Sequence, residues 1–332
     1  MDWTKLDWNA LDRLREGFLQ GTAAGGDYWK SVSDLANYDL TYGERIGWKW
    51  DAVLAELRAR QWTPPSPALL DWGCGSGIAG RRVLRAFGGE NFTSLQVWDH
   101  SSLARKFSIE AVRQQFPSLT VEPFVPAKSV GTLVLSHVLN ELSPKARTEL
   151  LALVRQADAV LWVEPGTHAV SRDLAAWRDR LRDDFDFIAP CTHANVCPLF
   201  EPKNERHWCH YFAPAPAGIY ADPNWVRFGQ KAGVDLRALP YSFLVFEKKN
   251  LRPSPTPLPS GSSRVIGRPR IHKAHTDLLG CDHTGLNELK LFKRTDAALT
   301  KQLDKDPPIP LYHWQRENDK ITVIETLFPS SH

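Results

Sequence analysis

The residues able to do chemistry in this chain are its five cysteines and one glycine-rich turn. Cys191 and Cys197 bracket Thr-His-Ala-Asn-Val, Cys209 follows in His207-Trp208-Cys209-His210, and Cys281 stands far downstream. Thiolates bind soft metals, and four of them can close a tetrahedral site or a cubane cluster. The paired Cys-x-x-Cys knuckles of zinc ribbons are absent, and wide spacing suits the edges of an iron–sulfur cube. His193, His207 and His210 keep a zinc site open as an alternative, and buried thiols without metal are a third reading. Cys74 has a different setting, the turn Asp71-Trp72-Gly73-Cys74-Gly75-Ser76-Gly77. Glycines there let a ligand reach the backbone without meeting Cβ atoms. Asp99, at the end of the next apolar run, can accept hydrogen bonds from both hydroxyls of a ribose. A metal centre on a nucleoside-binding fold is the combined expectation.

These groups need elements to hold them. Short apolar runs alternate with helical stretches over residues 68–250, the pattern of a parallel sheet with crossover helices. Ala68–Asp71, Ser94–Trp98, Thr132–Leu135, Val160–Val163 and Phe243–Phe246 read as strands. Ile78–Phe87 and Leu103–Phe116 read as helices. Residues 1–65 have apolar positions at helical spacing, among them Leu6, Leu11, Leu14, Phe18, Ile46, Trp50 and Leu57, and end at Pro64-Pro65-Ser66-Pro67. They are expected to form a helical cap. The domain reading is a cap at 1–65, a core at 66–250 with a cysteine-rich insertion at 188–212, a Pro- and Ser-rich linker at 251–263, and a small β-rich domain at 264–332.

With 42% hydrophobic residues the chain can bury a substantial core. A net charge of only +3 means that any nucleic-acid surface must be local. No apolar run is long enough to span a bilayer, so no membrane partner is expected. The opening segment lacks a signal-type apolar region and carries Asp2, Asp7, Asp12 and Glu16, which an organellar presequence avoids. A monomeric cytoplasmic protein of bacterial type is expected, where clustered thiols favour metal over disulfide.

The loop Asp71…Gly73-x-Gly75-x-Gly77 with Asp99 resembles the cofactor motif of Rossmann-like, class I S-adenosylmethionine-dependent methyltransferases. The resemblance implies an α/β fold of that class, here with an N-terminal helical cap and a small C-terminal β extension. It places Asp71, Gly73, Cys74, Gly75 and Gly77 around the amino-acid end of the cofactor and Asp99 on its ribose. Ser136, His137, Asn140 and Glu141 follow the fourth strand, where the acceptor enters in that fold, and are the catalytic candidates. His137 is the candidate base, although a structural histidine at a strand end fits equally, and Asn140 and Glu141 can serve as helix caps. Cys74, inside the cofactor loop, is a poor nucleophile candidate. The Asn-Pro-Pro-aromatic motif of adenine amino-group methylation is missing.

Three longer segments resemble the small-ribosomal-subunit methyltransferase-like family, known from mitochondrial ribosome assembly and found also in bacteria. They are Leu135-Ser136-His137-Val138-Leu139-Asn140-Glu141-Leu142, then Pro190-Cys191…Cys197-Pro198-Leu199…Trp208-Cys209-His210, then Arg264-Val265-Ile266…His275…Cys281. Tyr241-Ser242-Phe243 is similar too, and the resemblance covers about residues 30–290. It implies a [4Fe–4S] cluster on Cys191, Cys197, Cys209 and Cys281, and binding to small-subunit ribosomal RNA during assembly. Turnover is not implied with equal force, because some family members act as assembly factors without it. A non-catalytic assembly factor on the same fold is therefore one alternative, and a small-molecule methyltransferase with a structural zinc is another. For the RNA contact, Arg264, Arg268, Arg270 and His272 would share one face if 264–272 were a continuous strand, with Lys273 beside them. A solvated strand face is the competing reading.

Overall fold

The computed structural model describes residues 3–19, 29–126, 130–253, 258–303 and 309–328. Positions 1–2, residues 254–257 of the expected linker, and 304–308 and 329–332 of the expected β-rich domain lie outside the described residues. The chain forms two compact units: Met1–Ala55, Thr63–Val163 and Pro214–Leu239, and Glu56–Trp62, Glu164–Ala213 and Pro240–His332. No helix among the described residues is long and apolar enough to cross a membrane.

In the first unit, helices α1 (Trp8–Leu19), α2 (Val32–Tyr38) and α3 (Glu44–Ala59, its last turn in the second unit) precede the sheet. Then come β1 (Ala68–Trp72), α4 (Ile78–Phe87), β2 (Ser94–Trp98), α5 (Ser102–Gln115), β3 (Thr120–Pro123), β4 (Thr132–Ser136), α6 (Pro144–Gln156) and β5 (Ala159–Pro165). A further helix, Pro223–Ala232, completes the unit. The strands are parallel in the order β3-β2-β1-β4-β5. β1 and β4 are buried almost throughout, as strands covered on both faces must be. Ser101 and Ser143 start α5 and α6 by accepting from the backbone N–H groups of Ala104 and Ala146. Asp71 lies opposite Val97, and Trp72 stacks on Trp98 with centroids 4.4 Å apart. Strand order reverses between β1 and β4. In such sheets the crevice beyond the carboxyl ends at that point is where ligands bind.

In the second unit, α7 (His168–Leu181) precedes β6 (Phe185–Ala189). Strands β6 and β7 (Tyr211–Phe212) each run antiparallel to β8 (Pro240–Lys248). The cysteine-bearing loop lies between β6 and β7. The rest of the unit is β9 (Ser262–Val265), β10 (Arg270–Ile271), β11 (His275–Asp282), β12 (Gly285–Phe292), the helix Ala297–Leu303, β13 (Leu311–Glu317) and β14 (Lys320–Thr326). β9 pairs with both β11 and β13, β11 with β12, β12 in parallel with β14, and β14 with β13. The circuit β9-β11-β12-β14-β13-β9 therefore closes into a five-stranded barrel, with the helix between its third and fourth strands. This is the topology of the OB fold. Val265, Leu278, Leu289, Leu291, Leu299, Leu303, Tyr312, Trp314 and Ile321 fill its interior.

Candidate cofactor pocket and cysteine centre

The pocket in the first unit is built by the turn after β1. Gly73, Gly75 and Gly77 all have positive φ, at 73°, 51° and 78°. A Cβ on Gly73 would stand 2.6 Å from Val138 Cγ1, and one on Gly77 would overlap Ser108 Oγ. A Cβ on Gly75 would meet nothing within 4 Å. The turn thus packs tightly at both ends and is open in the middle, a cradle for a ligand. Its backbone is oriented by hydrogen bonds from Gly73 N and Cys74 N to Trp98 O, at 2.7 and 3.0 Å. Gly75 N donates to Asp99 Oδ2 (2.9 Å) and Ser101 N to Asp99 Oδ1 (2.9 Å), so the buried Asp99 carboxylate is fixed beside the loop.

Asp71 is fully buried. Its Oδ2 accepts from Gly80 N at 3.1 Å, while its Oδ1 has no hydrogen-bond partner. Burial raises its pKa to about 7, helped by the Asp99 charge against the Gly80 hydrogen bond. Glu141 is likewise pushed up to about 7, by burial first and by Asp99 next. Three carboxylates stand around one loop, one with an orphaned oxygen, and the cation at the loop, Arg81, which donates to Gly77 O at 3.2 Å, is already paired with Asp39. Cys74 is buried, and its thiol is raised well above the ordinary range by burial and then by Asp71 and Asp99.

The end of β4 gives the pocket its other wall. His137 has φ +58°, unusual for a residue with a side chain, and its N–H donates to Val163 O. Trp50 Nε1 donates to Ser136 Oγ (3.0 Å), which lies 3.4 Å from His137 Nδ1. Lys49 Nζ is 3.3 Å from His137 Nε2. Burial, then Lys49, hold the imidazole well below its usual pKa, so it is neutral at pH 7. Asn140 is exposed, at the tip of the turn Leu139–Glu141. Sequence reasoning missed Lys49 and Trp50; the only signal for them is the Trp48-Lys49-Trp50 triplet, which reads as ordinary helix.

All four clustered cysteines fall in the second unit, form no disulfide among the described residues, and are partly buried. Cys281 lies on β11 and the other three in or next to the loop between β6 and β7. Burial, then the mutual proximity of the thiols, raises Cys197 to about 12. Cys281 is raised well above its ordinary range by burial and then by Cys209, Cys191 and Cys197. Cys209 is held at about 11 by burial, with Tyr211 donating or accepting at 3.1 Å. Among the described residues no three of these sulfurs lie within 4.8 Å of one another. Thiolates around a single zinc would be about 3.8 Å apart, from bonds of about 2.3 Å. In any three of the four sulfurs at least one pair is therefore wider than that. Arg178 braces the loop: it donates to the carbonyls of Asn195 (2.6 Å) and His193 (2.8 Å) and pairs with Asp179. Asp179 in turn accepts from Cys197 N. Thr192 Oγ1 donates to Cys281 O and Asn195 Nδ2 to His283 O, tying loop to barrel. His193 Nε2 is 3.9 Å from Cys281 Sγ, and burial followed by Arg178 pulls its pKa to about 4.

The expected basic stripe is corrected. Residues 264–272 are not one strand: β9 ends at Val265, Gly267 turns at φ +67°, and β10 is only Arg270–Ile271. Arg264 points inward, 2% exposed, and pairs with the buried Glu56, which also holds Arg60. A buried guanidinium with a carboxylate partner does not contact phosphates. Arg268, Arg270, His272 and Lys273 remain exposed, with Arg268 over the Phe212 ring at 3.9 Å.

Parallel strand order, glycine loop after β1 and acid after β2 define a Rossmann-like, class I S-adenosylmethionine-dependent methyltransferase fold. Among solved structures, the plantazolicin methyltransferase BamL, in complex with triazolic desmethylPZN analog and SAH, is 10% identical, with 73% of this chain and 99% of that chain covered at a TM-score of 0.40. Magnesium protoporphyrin IX methyltransferase from Synechocystis PCC 6803, with SAM bound, is 14% identical, covering 54% and 88% at 0.33. No curated protein matches the sequence. The family model described as mitochondrial small ribosomal subunit Rsm22 matches residues 49–302, and the chain belongs to that family.

Proposed function

We propose that the protein is an S-adenosylmethionine-binding, iron–sulfur, methyltransferase-like factor that acts on small-subunit ribosomal RNA. The observation that carries the cofactor reading is the set of carboxylates at the glycine loop: Asp71, Asp99 and Glu141 surround a cradle left open at Gly75. S-adenosylmethionine supplies a cationic sulfonium that carries the methyl group, with an ammonium beside it. Asp71 and Glu141 would offset those charges, and Asp99 has carboxylate lone pairs left to accept from ribose hydroxyls. Ser136 and His137 line the side from which an acceptor would enter. Neutral His137, held by Ser136 and Lys49, can fix the acceptor's orientation, and could accept a proton only on Nε2 after Lys49 moves away. Rate would then come chiefly from alignment.

The wide sequence spacing of the four cysteines without Cys-x-x-Cys knuckles, and their convergence around Cys281, support a [4Fe–4S] cluster over zinc. Cys191, Cys197, Cys209 and Cys281 would hold the cluster, which would supply a four-armed crosslink, and Arg178 would place a buried cation beside the thiolates. The Rsm22 family membership supports the small-subunit context. A second reading, an assembly factor without turnover, is favoured by one observation: His137 is already engaged on both ring nitrogens.

The test has two arms. Calorimetry with S-adenosylmethionine should show binding that Asp99→Ala abolishes; equal binding would refute the pocket. Anaerobic purification should yield iron and sulfide near four each per chain; zinc without sulfide would refute the cluster. Methyl mapping of small-subunit RNA in a deletion strain then separates turnover from scaffolding.

A further inference from the structure

We propose that the outer face of the barrel at the His275 end of β11 and the Phe292 end of β12, together with the loop 266–274, binds a single-stranded stretch of RNA by stacking bases on side-chain rings. This deepens the RNA reading above and rests on it.

In an OB fold the second and third strands and the loop joining the first two strands form the oligonucleotide face. Here these are β11, β12 and residues 266–274. Single-strand binders combine a basic track with rings on which bases stack. Both occur at this place. His272 and His275 stack with centroids 4.6 Å apart at 18°, and the Phe292 ring follows 5.6 Å from His275. Arg294 lies over Phe292 at 5.3 Å, closing the row with a planar cation. The row is held by the ladder. His275 pairs with Phe292 in register, and His272 N donates to His275 O at 2.8 Å. Around it, Arg270, Lys273, Lys293 and Arg294 are exposed.

The acid in the row is Asp277. Its Oδ2 is 2.9 Å from His272 Nε2 and its Oδ1 is 3.2 Å from His275 Nε2, so it orients both imidazoles. The same three side chains place their ligand atoms within 4.8 Å of one another, as a cation site would. The continuation of the rings into Phe292 and Arg294, and the surrounding positive charge, favour a stacked anionic polymer over a metal ion.

The experiment uses the full chain with its metal centre intact. Fluorescence anisotropy is measured against an unstructured pyrimidine RNA of about 12 nucleotides and against the same sequence as a duplex. Single strand should bind better. His275→Ala/Phe292→Ala should weaken it by about tenfold or more with little change in salt slope. Lys273→Glu/Arg294→Glu, both at exposed positions, should lower the slope of log K against log salt by about 1.4. Wild-type binding by both variants, or a preference for duplex, overturns the proposal. So does loss of one zinc equivalent, with RNA binding unchanged, in His272→Ala/His275→Ala, which would make the triad a cation site. Co-sedimentation with small subunits is run in parallel. Subunit binding that the variants leave intact sinks the face alone, whereas oligonucleotide binding without subunit binding sinks the ribosomal reading alone.

Discussion

Asp71 and Glu141 make cofactor affinity depend on pH. Each is held at about 7 in the folded protein, chiefly by burial, against about 4 in an unfolded chain. The folded state binds more protons between those values, so their contribution to stability falls as pH rises from about 4 to about 7. A cationic ligand needs them ionised. Affinity for S-adenosylmethionine should therefore rise as pH passes upward through about 7, with proton release visible in calorimetry across buffers of different ionisation enthalpy. Asp71→Asn/Glu141→Gln should flatten that profile. Arg264 and Glu56 behave in the opposite sense. Burial raises Glu56, but Arg264 and Arg60 outweigh it and hold the carboxyl below its usual range. The stability it contributes is complete above the unfolded carboxylate value and is lost as pH falls through the folded one. Arg264→Met leaves the buried Glu56 with Arg60 alone, so it should lower stability in denaturant unfolding by less than the about 3–5 kcal/mol of a stranded buried charge, without altering the salt dependence of RNA binding.

Positive φ at three glycines shows how an element places the site. Gly77 opens α4 at φ +78°, where an added Cβ would overlap Ser108 of α5. Gly77→Ala should lose about 1–2 kcal/mol from backbone strain alone, more from the overlap, and Ser108→Gly should restore the second part. Both losses are read in thermal unfolding. This turn was legible because Gly-x-Gly-x-Gly after an apolar run has few other uses, and the helix expected at Ile78–Phe87 is present with those bounds. β3 and β6 were not legible. Thr120–Pro123 has too few apolar residues in a row and becomes a strand by pairing with β2, whereas Phe185–Ala189 is apolar enough but follows α7 so closely that no turn signal separates them. The stripe at 264–272 failed for a related reason: alternation was counted across Gly267, whose left-handed backbone breaks the period.

Across the molecule, composition revealed the clustered cysteines, but their setting was invisible. Nothing local marks Arg178 or Asp179 as braces of the cysteine loop, because each acts on residues brought near by the chain's path. Barrel closure is equally non-local: it needs β9 to pair with β11 on one side and β13 on the other, Arg264 facing Cys281 and Leu311. Cys281→Ser should leave the anaerobic protein nearly free of iron. Limited proteolysis should then cut first within the second unit, in the loop 190–210, while the first unit still binds S-adenosylmethionine.

The seclusion of Cys74 has a practical consequence. Its thiol is 5% exposed and kept protonated, so an alkylating dye will pass it by in the native protein. The remaining sulfurs, if committed to inorganic iron, are equally silent until that iron departs. Burial holds Cys197, Cys209 and Cys281 protonated too while their loop stays packed, so fluorescent labelling should rise from zero toward four per molecule only as loss of the centre opens that loop, turning the chain into its own gauge of oxygen damage.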